Sequence, residues 1–132
     1  MVTVRFDVRS DLRYVTGRIS GPLGDGVLRL ALDTACFETL IRPEALDRVG
    51  YSARDGEAIT TITTALGRES GYRLTVSRFA SLGHTVLNLR VHAHDLPDDC
   101  GFDGLLGLNF LRDFNCEVRS KEGRILVERA AG

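Results

Sequence analysis

Alternating apolar and polar residues are the main pattern of this chain, and this period of two predicts β-strands. In residues 2–8 (VTVRFDV), Val2, Val4, Phe6 and Val8 fall on one face of the predicted strand. Similar runs, or runs rich in β-branched residues, predict further strands at residues 13–20, 27–32, 58–65, 72–79, 85–94, 116–119 and 124–128. The 14 glycines suit the tight turns that so many short strands require.

Two short segments have helical features instead. Pro43 fits a first helical turn and Gly50 fits a C-terminal cap, so residues 43–49 are predicted to be a helix. In residues 105–114, three leucines keep helical spacing after a glycine-bracketed entry and predict a second helix; they are Leu105, Leu108 and Leu111. Residues 67–71 are polar and flanked by glycines, which predicts the exposed, mobile tip of a hairpin.

Composition narrows the class of protein. The length of 132 residues, with 43% hydrophobic and 27% charged residues, is typical of a single globular domain spanning residues 1–132. Lys and Arg number 17 against 18 Asp and Glu, so we expect neither nucleic acid nor a membrane surface as a partner. No apolar run reaches the length of a membrane span, and the N-terminal residues lack a signal-peptide core. The three cysteines form no C-x-x-C pair, which favours a reducing, cytoplasmic location.

The most unusual local feature is an acidic residue directly after an apolar strand. Residues 27–32 (VLRLAL) lead into Asp33, Thr34 and Ala35. Burial of the strand should hold the Asp33 carboxyl in a partly desolvated place, where its charge is costly unless hydrogen bonds or a proton compensate it. A turn or cap aspartate is the ordinary alternative for such a residue.

Three segments together resemble the retropepsin-like aspartic protease family. They are LRLALDTA at 28–35, TLIRPEAL at 39–46 and DGLLGLNFLRDF at 103–114. The resemblance covers about residues 13–128. It implies a mostly β, closed β-barrel-like retropepsin fold with one or two short helices, and a flap hairpin at about 58–79 that covers an extended peptide or protein substrate.

The resemblance also implies roles for individual residues. Asp33 would be the catalytic acid and base, Thr34 a brace between subunits, and Ala35 a backbone donor to the carboxylate. The residues implied in substrate binding are Cys36, Ala65, Leu66, Gly67 and Leu106, and no metal or cofactor is implied. Two carboxylates must share one proton in this mechanism, and the chain has one Asp-Thr-x set, so we expect a homodimer with one Asp33 from each subunit.

Two departures from the family pattern favour an alternative. Ala35 stands where the family has Gly, and Phe37 stands where Ser or Thr commonly donates to the catalytic acid. The alternative is a catalytically silent dimeric module with the same fold that binds peptides or serves in interactions. An unrelated β-barrel, in which Asp33 is structural, is a third possibility.

Two other groups of residues suggest different chemistry. By residue type, a zinc site could be built from His92, His94, Asp95 and Cys100. In residues 85–94, however, the alternation turns Leu87, Leu89, Val91 and Ala93 inward and predicts a solvated face for both histidines. Cys36 could pair with His84 as a thiol nucleophile, but a pocket-lining thiol beside Asp33 is the favoured interpretation.

Overall fold

The computed structural model describes residues 1–64 and 67–130. The strands of this part of the chain are β1 (Val2–Arg5), β2 (Tyr14–Gly21), β3 (Gly24–Leu32), β4 (Thr39–Ile41), β5 (Ala58–Thr64), β6 (Gly67–Ser81), β7 (His84–Ala93), β8 (Gly104–Leu106), β9 (Phe114–Arg119) and β10 (Arg124–Arg129). Its helices are α1 (Pro43–Arg48), a 3₁₀ turn (Ala53–Asp55) and α2 (Leu108–Leu111). The prediction of a mostly β chain with two short α-helices is confirmed.

Six strands close into a barrel in the order β2-β3-β8-β4-β7-β6, with β6 pairing back onto β2. Strand β5 continues the sheet beyond β6 as the outer arm of a hairpin, and β1, β10 and β9 form a separate three-stranded sheet. The barrel confirms the predicted mostly β, closed-barrel architecture. The barrel, the helices and strand β10 together contribute the largest fully buried side chains of the described residues, which are Phe79, Phe110, Ile19, Leu28, Leu30, Ile41, Leu46, Leu74, Leu106, Ile125, Val49 and Val76.

Strand β8 was predicted to be the start of a helix, and this prediction is wrong. Residues 104–106 pair in parallel with residues 30–32 of β3 and antiparallel with β4. A Cβ at Gly104 would collide with the carbonyl oxygen of Leu40, so glycine permits this close strand approach. Helical structure begins only at Leu108, and Leu105 lies in the strand despite its helical spacing.

Helix α1 forms almost where its capping residues predict it. Gly50 has a φ of +98° and donates its N–H to the Asp47 carbonyl at 3.0 Å. Tyr51 donates to the Leu46 carbonyl at 3.0 Å, which completes a Schellman cap. Among the described residues, no helix has the length and apolar character that crossing a membrane requires.

The inward face of β7 changes phase in mid-strand. Leu89 and Val91 are buried as predicted, but Leu87 is 61% exposed, contrary to the prediction. The cause is Asn88, whose φ of +56° interrupts the alternation. The opposite residue on β6, Ser77, donates its N–H to the Tyr51 hydroxyl at 3.0 Å instead of to β7.

The N-terminal strand is shorter than its sequence pattern. Strand β1 ends at Arg5, and Phe6 donates its N–H to the Gly123 carbonyl at 2.9 Å. Asp7 then accepts the N–H of Arg9 at 2.9 Å, which turns the chain away from the sheet. Val8 is therefore exposed, although the alternation placed it on the buried face.

The predicted hairpin of residues 58–79 is present, but its tip differs from the prediction. Thr64 is paired with Gly67, and Thr60 is paired with Gly71. Residues 67–71 are therefore strand rather than a polar tip. The predicted substrate-binding residues Ala65 and Leu66 lie outside the described residues.

Candidate active site

Backbone hydrogen bonds hold the loop that follows β3 in a tight turn. Asp33 donates its N–H to the Leu106 carbonyl at 3.1 Å, and its own carbonyl accepts the N–H of Cys36 at 3.2 Å. Ala35 donates its N–H to Asp33 Oδ1 at 3.0 Å. The Asp33 residue is half-buried, while Thr34 and Ala35 are exposed. The turn therefore presents a fixed carboxyl group to the surface.

Helix α2 supports this loop from the other side. Leu108 donates its N–H to the Cys36 carbonyl at 2.7 Å, and Asn109 donates to the Phe37 carbonyl at 2.8 Å. A Cβ at Gly107 would lie 2.8 Å from the Thr39 nitrogen and 2.9 Å from the Cys36 oxygen. The glycine after the apolar pair thus lets the helix start directly against the Asp33 loop.

Thr39 and Asn109 form a side-chain brace that sequence reasoning missed. Asn109 Oδ1 accepts both the backbone N–H and the hydroxyl of Thr39, each at 2.9 Å. The same hydroxyl accepts the N–H of Gly107 at 3.0 Å, and Asn109 Nδ2 donates to the Arg90 carbonyl at 2.7 Å. The available signal was an asparagine inside the otherwise apolar run LLGLNFL.

The structure brings some of the predicted site residues together. Thr34, Ala35 and Cys36 share the Asp33 turn, and Ala35 is exposed in the part of the chain that the structure describes. Leu106 lies beneath the turn with a fully buried side chain, so its described contact with Asp33 is through its backbone carbonyl. Gly67 begins β6 in the hairpin.

A surface pocket of about 330 Å³ lies beside the Asp33 loop. It is lined by Cys36, Phe37, Glu38, Leu40, Arg73 and His92. The Cys36 thiol donates to the Glu38 carbonyl at 2.9 Å. Burial raises the pKa of this thiol, and the negative charges of Asp33 and Glu38 raise it further.

A charged cluster forms one wall of this pocket. Glu38 Oε2 accepts from His92 Nε2 at 2.7 Å and from Arg73 Nε at 3.1 Å. The prediction of a solvated face for both histidines is wrong, because the His92 side chain is only 17% exposed and His94 is buried. No group of three or more potential metal ligands occurs in residues 1–64 and 67–130.

The described contacts separate Cys36 from His84. The His84 ring lies against Phe114, with 4.6 Å between the ring centroids, at the turn that joins β6 to β7. The Cys36 thiol contacts the Glu38 carbonyl instead. The two side chains therefore belong to different environments, and no thiol–imidazole pair forms between them.

Asp33 thus holds a half-buried carboxyl directly after β3, a strand of the closed barrel. The aspartyl protease family matches residues 15–110 of the chain. The chain therefore belongs to the aspartyl protease family. No curated protein matches it significantly. Its fold resembles the crystal structure of a retropepsin-like aspartic protease from Rickettsia conorii, with 16% identity, a TM-score of 0.71, and coverage of 96% of this chain and 88% of that one.

Proposed function

We propose that the chain is an aspartic endopeptidase that acts as a homodimer, with one Asp33 from each subunit in a shared site. The observation that carries this proposal is the single, rigidly held Asp33 turn, with Thr34 and Ala35 exposed on the same surface. Among the described residues, no second carboxylate is hydrogen-bonded to Asp33. A two-fold axis beside this turn supplies the missing carboxyl group.

The proposed chemistry uses the two carboxyl groups in different protonation states. The ionised one removes a proton from a water molecule, whose oxygen attacks the peptide carbonyl carbon, while the protonated one donates to the carbonyl oxygen. When the resulting tetrahedral diol collapses, the C–N bond breaks and the amine nitrogen takes up a proton. Activity requires the singly protonated pair, so a bell-shaped pH profile on the acidic side of neutrality is expected.

The hairpin of β5 and β6 supports the proposal that this segment is a flap. It extends the barrel wall beyond β6, and β5 has an outer edge that pairs with no described strand. In the proposal, it covers an extended peptide and holds it by strand-like hydrogen bonds, excluding water from the site.

The three cysteines are all unpaired, which supports the proposed cytoplasmic location.

Hydrolysis of a peptide library by the wild type and by Asp33→Asn tests the function. We expect turnover to fall to background in Asp33→Asn, while light scattering still gives twice the 14.5 kDa mass of one chain. Ala35→Gly restores the family residue and should leave activity equal or higher, because the Ala35 methyl group faces the surface where the partner is proposed. Turnover that persists in Asp33→Asn would overturn the mechanism.

A silent peptide-binding module is the second candidate. Its supporting observation is Phe37, which is 59% exposed beside the Asp33 turn and offers no hydroxyl to the carboxylate. For this function we expect both the wild type and Ala35→Gly to form a dimer that binds peptides but hydrolyses none. The same library measurement therefore distinguishes the two candidates.

A further inference from the structure

The pocket beside the Asp33 turn contains a charged cluster that the proposed reaction does not use. Glu38 immediately precedes β4, His92 lies on the neighbouring strand β7, and Arg73 is the direct partner of His92 on β6. Pairing of these three strands thus places the three side chains in one row on the outer side of the barrel sheet. Strand register fixes the positions of Arg73 and His92, and Glu38 is the last residue of the loop that leads into β4.

Hydrogen bonding within the cluster compensates the Glu38 charge. The Glu38 side chain is only 13% exposed and receives two donors on the same carboxylate oxygen, from Arg73 and His92. The 2.7 Å contact with His92 requires a proton on Nε2, which either protonation state of the imidazole can supply. The 3.5 Å approach of Arg73 to the same nitrogen is therefore a packing contact.

Apolar groups form the rest of the pocket wall. Leu40, Phe37 and Cys36 line it, and Leu40 is buried whereas Phe37 is exposed. Cys36 donates its backbone N–H to the Asp33 carbonyl, so the pocket adjoins the proposed catalytic turn directly. A peptide side chain next to a bond held at Asp33 would meet this wall.

We propose that this pocket is a substrate subsite for an apolar side chain, and that Arg73 determines its specificity by neutralising Glu38. This inference rests on the proposed peptidase function and names part of its substrate class. A basic side chain gains nothing from a carboxylate already paired with a guanidinium, and an acidic one meets an arginine already paired with a carboxylate. Both charged side chains would lose water on entering without obtaining a free partner.

Single substitutions of Arg73 and Glu38 should change the selectivity against charged substrate side chains in opposite directions. Arg73→Gln leaves Glu38 without its cationic partner, so relative cleavage of peptides with Lys or Arg at one position should rise about tenfold. Glu38→Gln leaves Arg73 without its anionic partner, so relative cleavage of peptides with Asp or Glu at the same position should rise by a similar factor. The double variant contains neither charge and should keep the apolar preference of the wild type.

The experiment is to profile cleavage of a peptide library by the wild type, both single variants and the double variant. Arg78→Gln is the matched control, because Arg78 lies on the same strand β6, is exposed and has no side-chain partner among the described contacts. It should reproduce the wild-type profile. Circular dichroism establishes that each variant is folded.

The outcomes separate this inference from the proposed function. If the wild type cleaves nothing, the peptidase function fails and the subsite fails with it. If the wild type cleaves peptides and both single variants keep its profile, only the subsite is overturned. Should a single variant not fold, the double variant still decides, since a preference for charged side chains in it contradicts the neutralisation by Arg73.

Discussion

Removal of the Asn109 side chain should destabilise the Asp33 loop and, with it, the whole barrel. The substitution Asn109→Ala deletes an acceptor for the Thr39 N–H and hydroxyl, each at 2.9 Å, and a donor to the Arg90 carbonyl at 2.7 Å. Thr39 is fully buried, so water cannot replace the lost acceptor. The Thr39 hydroxyl still accepts the Gly107 N–H, which limits the loss of stability from its own unpaired proton.

The expected cost follows from the polar groups that remain unpaired. A buried N–H without an acceptor costs about 1–3 kcal/mol, and loss of the bond to Arg90, an exposed residue, adds about 1 kcal/mol. Alanine is a better helix former than asparagine, which offsets roughly 0.5 kcal/mol of this loss of stability at its position in α2. The free energy of unfolding should therefore fall by about 1.5–3.5 kcal/mol.

Urea unfolding at one fixed protein concentration measures this change, because dimer stability depends on concentration. Asn115→Ala is the matched control, since Asn115 is exposed on β9 and its side chain makes no hydrogen bond among the described contacts. The control should change the free energy by less than about 0.5 kcal/mol. Equal unfolding free energies for the Asn109 and Asn115 variants would refute the reasoning.

Three further predictions concern the barrel, the loop contact and the thiol. Tyr51→Phe removes a hydroxyl that bridges β2 and β6, so urea unfolding should show a loss of about 1–2 kcal/mol, whereas Tyr72→Phe, which removes no described hydrogen bond, should show almost none. Gly107→Ala places a methyl group against the Asp33 loop and should lower both the unfolding free energy, by about 2 kcal/mol, and the peptidase rate. The raised pKa of Cys36 means that alkylation by iodoacetamide should reach half its maximal rate at a higher pH in the folded than in the urea-unfolded chain. Because the Asp33 charge contributes to that rise, this pH should fall in Asp33→Asn, and an identical midpoint would contradict the assignment.

Much of the fold is predictable because its determinants are local. The alternation in residues 13–20 and 27–32 specifies β2 and β3, and Pro43 and Gly50 delimit α1 through their own backbone preferences. Strand β8 was missed because three residues are too few to show a period of two, and its leucines also fit helical spacing. The phase change in β7 depends on one residue, Asn88, whose left-handed conformation leaves no hydrophobic pattern.

The candidate site was predictable only in its first segment. Asp33 was conspicuous because a carboxyl group follows an apolar strand, a feature visible within a few residues. The brace between Thr39 and Asn109 joins residues 70 positions apart, and the contact of Glu38 with His92 depends on the parallel pairing of β4 with β7. Alternation assigns a side chain to a face, but it does not specify what covers that face.

Subunit mixing tests most directly whether one active site needs an Asp33 from each of two subunits. Wild-type chains are allowed to exchange with an equal amount of Asp33→Asn chains, and hydrolysis is measured per wild-type chain. Random exchange puts half of the wild-type chains into mixed dimers, which would hold only one Asp33 carboxyl. We predict that hydrolysis per wild-type chain falls to about half, and further as the variant is added in excess. Hydrolysis per wild-type chain that stays constant at every mixing ratio, with exchange verified by mass spectrometry, would contradict a shared Asp33 site.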